Sequence, residues 1–276
     1  MVFLRPNAHW PAHETPHGNY RVERRVDGVT ISTHDCIAEE TPVALVYNGV
    51  AHTVMMATPL DIEDFAAGFS LSEGIVARAR EVYDLEVIAR DNGMEARLEI
   101  ATERALLLRA QHRAMAGRTG CGLCGVESLE RFRAPVPAVR STVGLAAGAL
   151  SVAHSQLVGM QPLFHLTGAV HAAAWCGLDG AVALVREDVG RHNALDKLIG
   201  AVATNGSAFG DGFVLMTSRA SYEIVQKAAA VGIAVVAAVS APTGMAVRLA
   251  EAAGVTLIGF ARGARHSVYS HPQRIH

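Results

Sequence analysis

Two thiols separated by two residues, Cys121-Gly122-Leu123-Cys124, sit in the glycine-rich run from Thr119 to Gly125. The run leads into Val126-Glu127-Ser128-Leu129, residues able to start a helix. A helix N-terminus and the neighbouring Arg118 both favour thiolate over thiol, lowering the pKa from its free value of about 8.5. Glycines on either side clear space around both sulfurs and permit positive φ. From these residues alone the expectation is an exposed, activated dithiol suited to disulfide exchange or to carrying sulfur.

Other chemistries fit the same string less well. Gly120 to Gly125 satisfies G-x-G-x-x-G, but no apolar strand directly precedes it and Arg131 to Leu150 holds no Asp or Glu for a ribose. A structural zinc site needs a second ligand pair, and the remaining cysteines, Cys36 and Cys176, form none. These two are read as small packed hydrophobes. No metal site is expected.

The elements that must position the thiols differ between the two halves of the chain. Thr41 to Tyr47 and Val50 to Ala57 flank the turn Asn48-Gly49 and read as a hairpin. From Thr58-Pro59, the spacing of Leu60, Ile62, Phe65, Ala66 and Phe69 predicts a capped amphipathic helix ending at Gly74. Glu95 to Ala101 alternates as a strand. Arg109, His112, Arg113 and Arg118 then concentrate positive charge ahead of the cysteines, a pattern that also suits a solvated helix face or linker.

The C-terminal half is more regular. Gly180 to Arg186, Phe213 to Thr217, Ile233 to Val239 and Val255 to Phe260 are short apolar runs, separated by helical patterns at His192 to Val202, Tyr222 to Val231 and Gly244 to Ala253. Strands alternating with helices predict an α/β layered domain on a parallel sheet. The last three strands end in small or hydroxyl-bearing turns, Thr217 to Ser221, Ser240 to Gly244 and Ala261 to Gly263. Ligands in such sheets bind at the carboxyl ends of strands, and Arg219 and Arg262 in two of these turns point to a phosphate-bearing anion.

Half of the 276 residues are apolar, enough for a full core in one large domain or two packed ones. Four cysteines are too few for a disulfide scaffold, which favours a reducing, cytoplasmic setting. No secretory signal is read in Met1 to Gly18, and the longest apolar stretch, Ala228 to Ala241, is short of the roughly 20 residues a membrane span needs. A net charge of −2 gives no global field for nucleic acid. The division expected is an irregular arm (1–18), an α+β portion (19–116), a cysteine-bearing loop and helix (117–140) and an α/β portion (141–276).

Three stretches carry a resemblance. Gly120-Cys121-Gly122-Leu123-Cys124-Gly125-Val126-Glu127-Ser128-Leu129 resembles the signature of the formate dehydrogenase accessory sulfurtransferase family (FdhD). The run from Phe164 to Ala173 with Arg186 to Lys197, and the run Ser218 to Glu223 with Lys227, agree with it. The resemblance implies a three-layer α/β/α fold similar to cytidine deaminases, although no histidine here is followed two residues later by Glu and Cys121 lacks a preceding Pro. It implies transfer of sulfur from a cysteine desulfurase to the molybdenum (or tungsten) bis(molybdopterin guanine dinucleotide) cofactor of formate dehydrogenase, in a homodimer.

Residue by residue, the resemblance makes Cys121 the persulfide carrier and Cys124 its partner. It assigns cofactor binding to Phe260, Ala261, Arg262, Gly263, Ala264 and Arg265, with a guanine nucleotide such as GDP as a partial mimic. Arg219 and Ser221 are expected as phosphate contacts, and Asp188, Arg191, His192 and Asn193 as pocket lining. His165 and His171 are read as structural. A thiol-disulfide oxidoreductase and a chaperone that only ferries the cofactor are the alternatives.

Overall fold

The computed structural model describes residues 14–115 and 136–276. Cys121, Cys124, Arg118 and the expected helix start at Val126 lie outside these residues.

The chain opens with a ribbon, β1 (His17–Val26) paired antiparallel to β2 (Val29–Ala38) around Asp27-Gly28, both at positive φ. Its side chains are mostly exposed. The expected hairpin follows as β3 (Thr41–Tyr47) and β4 (Val50–Ala57), with Asn48 and Gly49 at φ 47° and 75°, the pair of left-handed residues that a twisted two-residue turn requires. With β5 (Val82–Arg90) and β6 (Gly93–Ile100) these form a four-stranded sheet in the order β4-β3-β6-β5.

Helix α1 (Ile62–Ser72) lies where its periodicity placed it, burying Ile62, Phe65, Ala66 and Phe69. No side chain caps its N-terminus, contrary to the capped start expected. Instead Arg186 reaches it, ion-paired to Asp64 at 2.7 Å and to Asp61 at 3.6 Å. Arg109, His112 and Arg113 of the basic stretch lie on a helix, α2 (Thr102–Met115). Its Arg109 donates to the carbonyl of Asn48 at 3.2 Å, so that charge is tied to the hairpin turn.

After α3 (Ala147–Gly159) and α4 (Pro162–Thr167), the second half builds a six-stranded sheet in the order β12-β11-β10-β9-β7-β8. Its strands are β7 (His171–Gly177), β8 (Val182–Asp188), β9 (Gly212–Met216), β10 (Val235–Ala238), β11 (Thr256–Arg262) and β12 (Arg265–Val268). Every residue of β9 and β10 is buried. Side chains alternate between the faces of a strand, so helices must cover both faces of the sheet, as in a three-layer α/β/α arrangement.

The sheet is mixed where a parallel one was expected. β9, β10 and β11 run parallel, but β7 is antiparallel to β9 and to β8, and β12 is antiparallel to β11. β8 therefore returns from β7 as a hairpin. Helices α5 (Arg191–Thr204), α6 (Tyr222–Ala230) and α7 (Gly244–Ala253) link the later strands. α5 packs on β7 and β8 and carries α1 on its other side, so the two halves of the chain share one core. Cys176 is buried in β7, and burial pushes its thiol up to about 12, in keeping with a packed hydrophobe. Cys36 on β2 is half-buried.

Candidate functional site: an anion cleft at the strand ends

The three turns that end β9, β10 and β11 lie side by side and are laced by main-chain hydrogen bonds. Ser240 N–H donates to Ser218 C=O at 3.4 Å, Ala220 N–H to Ala241 C=O at 3.3 Å, Thr243 N–H to Ala220 C=O at 3.0 Å and Phe260 N–H to Ser240 C=O at 3.1 Å. Polar backbone groups of each turn are thus satisfied against the next, while Arg219 stays exposed between buried Ser218 and Ala220. Beside them opens a cavity of about 430 Å³ between α3, α4 and the sheet. Leu157, Val158, Phe164, Val170 and Val239 give it an apolar wall; Gln161, Thr217, His154 and His171 are its polar groups.

Positive charge gathers near this mouth. Arg191, the first residue of α5, and Arg219, in the turn after β9, repel one another, and both act on His171. The Arg191 Nε is buried without a hydrogen-bond partner among the described residues. Burial first, then Arg219, holds the Arg191 guanidinium below its usual range. A buried donor left unmatched beside a second cation is costly in a free protein and favourable around an anion.

The segment Phe260 to Arg265 divides. Phe260 is in the left-handed region at φ 53° with its ring about half exposed, whereas Ala261 is buried and offers no side chain to a ligand. Arg262 donates through Nε to the C=O of Val239, a residue that itself lines the cavity, at 3.0 Å. Gly263 and Ala264 turn the chain into β12, bringing exposed Arg265 opposite Arg262 in the pairing.

Asp188 and Asn193 require a correction. Asp188 is wholly buried; its carboxylate pairs with Lys197 at 2.7 Å and accepts from Thr58 N–H, Gly190 N–H and the Asn193 amide at 2.9, 2.8 and 3.1 Å. Asn193 also donates to Met56 C=O at 2.8 Å. These two residues brace the junction of β8 and α5 against the end of β4 instead of lining the pocket. The physical reason is Lys197, itself fully buried, which needs an anion inside the protein.

His192 and Ser221 are brought together with Glu223. His192 Nε2 lies 2.9 Å from Glu223 Oε2 and 3.3 Å from Ser221 Oγ, and Ser221 Oγ lies 3.2 Å from the same carboxylate oxygen. The serine and the acid thus face one and the same ring nitrogen. A nucleophile relay needs them on opposite nitrogens, so this is not a hydrolase triad. Burial pushes the His192 imidazole down to about 4, against the pull of Glu223. Ser221 precedes α6 without capping it, which leaves the helix N–H groups uncapped by its side chain.

Of the two histidines read as structural, His165 is tied, its Nε2 2.6 Å from Val158 C=O. His171 is not: it lines the cavity, and its ring makes no hydrogen bond among the described residues. The sequence signal for it was available, a polar residue heading an apolar run beside Gly168, but alanine at 172–174 hid the strand. The cavity-lining residues of α3 and α4 carried no signal, since nothing local says which face of a helix borders a void.

Together these features define a mixed α/β protein in which Arg191 and Arg219 gather next to a largely apolar cavity. Residues 38–276 match the FdhD/NarQ family, and the chain belongs to that family. It is 55% identical over 273 residues to the sulfur carrier protein FdhD of Cupriavidus necator, covering 99% of this chain and 94% of that one. It is 52% identical over 244 residues to the sulfur carrier protein FdhD of Chromobacterium violaceum, covering 87% and 90%. A crystal structure titled as a formate dehydrogenase accessory protein from Desulfotalea psychrophila superposes with a TM-score of 0.73 at 23% identity, covering 94% of this chain and 99% of that one; it shares the fold.

Proposed function

We propose that this protein is a cytoplasmic sulfur carrier: it takes sulfur from a cysteine desulfurase as a persulfide on Cys121 and delivers it to molybdenum bis(molybdopterin guanine dinucleotide) bound for formate dehydrogenase. The observation that carries the reading is the juxtaposition of Arg191 and Arg219, unpaired and mutually repelling, with an apolar cavity large enough for a planar ring. A guanine dinucleotide supplies both counterparts, a diphosphate for the arginines and flat heterocycles for the cavity or the exposed ring of Phe260. The names carried by close relatives and the Cys121–Cys124 spacing supply the sulfur half of the reading.

In chemical terms, the Cys121 thiolate attacks the terminal sulfur of the donor persulfide. The new S–S bond forms as the donor's S–S bond breaks, and the donor leaves as a thiolate, so no outside oxidant is needed. The cofactor is then the acceptor of that sulfur. Among the described residues no helix is long and apolar enough to cross a membrane.

The test is mass spectrometry after incubation with a desulfurase and cysteine, run beside formate dehydrogenase activation with single cysteine variants. About one added sulfur, absent in Cys121→Ala together with activation, is expected; no adduct on either thiol overturns the carrier role. Turnover of a disulfide substrate without nucleotide affinity identifies an oxidoreductase instead. Activation that survives loss of both thiols identifies a cofactor chaperone.

A further inference from the structure

Beside Arg191 and Arg219 the cleft holds a third group, His171, which the sulfur-carrier role leaves without a task. His171 heads β7, directly across the pairing from Asp188, and faces the cavity. The charged and titratable groups around it can be named element by element. Arg191 approaches from the start of α5 and Arg219 from the turn after β9. Asp188 faces it from β8, but that carboxylate is already neutralised by Lys197. His154 on α3 lines the same cavity, and on α4 the nearby His165 is turned to a carbonyl. The field at His171 is therefore dominated by two cations that have no ion-pair partner among the described residues.

From this we infer that His171 is the third donor of the anion site, neutral while the cleft is free and protonated when a polyanion occupies it. The inference rests on the cleft proposed above and adds a residue and a pH dependence to it. Burial, then Arg191 and Arg219, hold the imidazole below its ordinary value in the free protein. An anion seated on the two guanidiniums cancels their field and adds an attraction of its own, so the bound-state value rises. By linkage, ligand binding then takes up a proton, and affinity grows as pH falls through the bound-state value, levelling off below the free-state one. The ligand class is a diphosphate or other multiply charged oxyanion, recognised by two planar guanidiniums and one imidazolium.

GDP is the probe. Calorimetric titration of the full-length protein at pH 5.5 to 8, in buffers of different ionisation heat, counts protons taken up per GDP bound. Wild type should take up more protons near neutrality than His171→Gln. Its affinity should also fall about tenfold more across that range, because a midpoint raised by one pH unit on binding is worth a factor of about ten in affinity. Since GDP itself titrates, the difference between the two proteins is the quantity read. The His171 Cε1–H resonance of wild type gives a second measurement independent of any variant: its midpoint should move to higher pH on saturation with GDP.

An unmoved His171 midpoint, or equal proton counts and slopes for wild type and His171→Gln, overturns the inference while leaving the cleft in place. Absence of GDP binding by the folded wild type at every pH overturns the cleft reading, and this inference with it.

Discussion

Gly68 on α1 and Gly200 on α5 meet backbone to backbone. A Cβ added at Gly68 would lie 1.7 Å from Asp196 C=O and 2.6 Å from Gly200 N, and one added at Gly200 would lie 1.9 Å from Asp64 C=O. The helices touch because neither residue has a side chain. That crossing fixes the height of α5, and with it the position of Arg191 at its tip. Gly200→Ala is expected to cost about 1–3 kcal/mol or more, because backbone and not a movable side chain must give way. Urea unfolding measures it; an unchanged midpoint and slope would mean the helices are not packed this closely.

Asp188 and Lys197 make the next prediction. Their charges are closed off from water, so removing one strands the other. Lys197→Met should destabilise by roughly 3–5 kcal/mol, while Lys197→Met combined with Asp188→Asn should recover part of that loss. Thermal unfolding of the two single variants and the double variant reads the coupling; strict additivity would contradict a direct pair.

Arg191→Gln and Arg219→Gln should each weaken GDP binding by about 10- to 100-fold, the range for a charge-assisted hydrogen bond. Arg219→Gln should not reduce stability: it relieves the repulsion on Arg191, so the melting temperature of the free protein should hold or rise, whereas Arg191→Gln also gives up the attraction of Glu223. Calorimetry and thermal melts check the two halves; a variant that binds GDP like wild type removes that arginine from the site.

His192 sets an acid limit. With its folded value at about 4 against an ordinary value near 6.5, the folded chain binds fewer protons than the unfolded chain between those pH values. The stability concerned is therefore complete above about pH 6.5 and is lost as pH falls towards 4, by roughly 2–3 kcal/mol in all. His192→Gln should flatten this part of the stability curve, measured by urea unfolding at pH 7 and 4.5. An equal acid loss in variant and wild type would assign it elsewhere.

Much of this was legible before the structure. The runs at 213–217, 233–239 and 255–260 are strands because buried parallel strands have no polar face to interrupt their hydrophobicity. The three turns after them meet as expected, since parallel strands deliver their carboxyl ends to one side. What failed has physical reasons. Ala172, Ala173 and Ala174 have little strand preference of their own, and only burial in the sheet makes β7 a strand. Missing β7 made β8 look parallel. The β1–β2 ribbon escaped because, mostly solvated, it needs no apolar alternation. Asp188 and Asn193 look like ligand residues in sequence because a buried cation's partners are the same residue types as a ligand's. Only the location of Lys197 separates the two uses. Cys121 and Cys124 were legible as chemistry, and their placement lies outside the described residues.

The stitching of the three turns is carried by main-chain amides and carbonyls. Those groups are identical whatever residue bears them. Ser240 or Ala241 can therefore be exchanged in the course of descent without redrawing the outline of the turns, provided the chain keeps its path. Lineages are free to vary such side chains while inheriting the same mould.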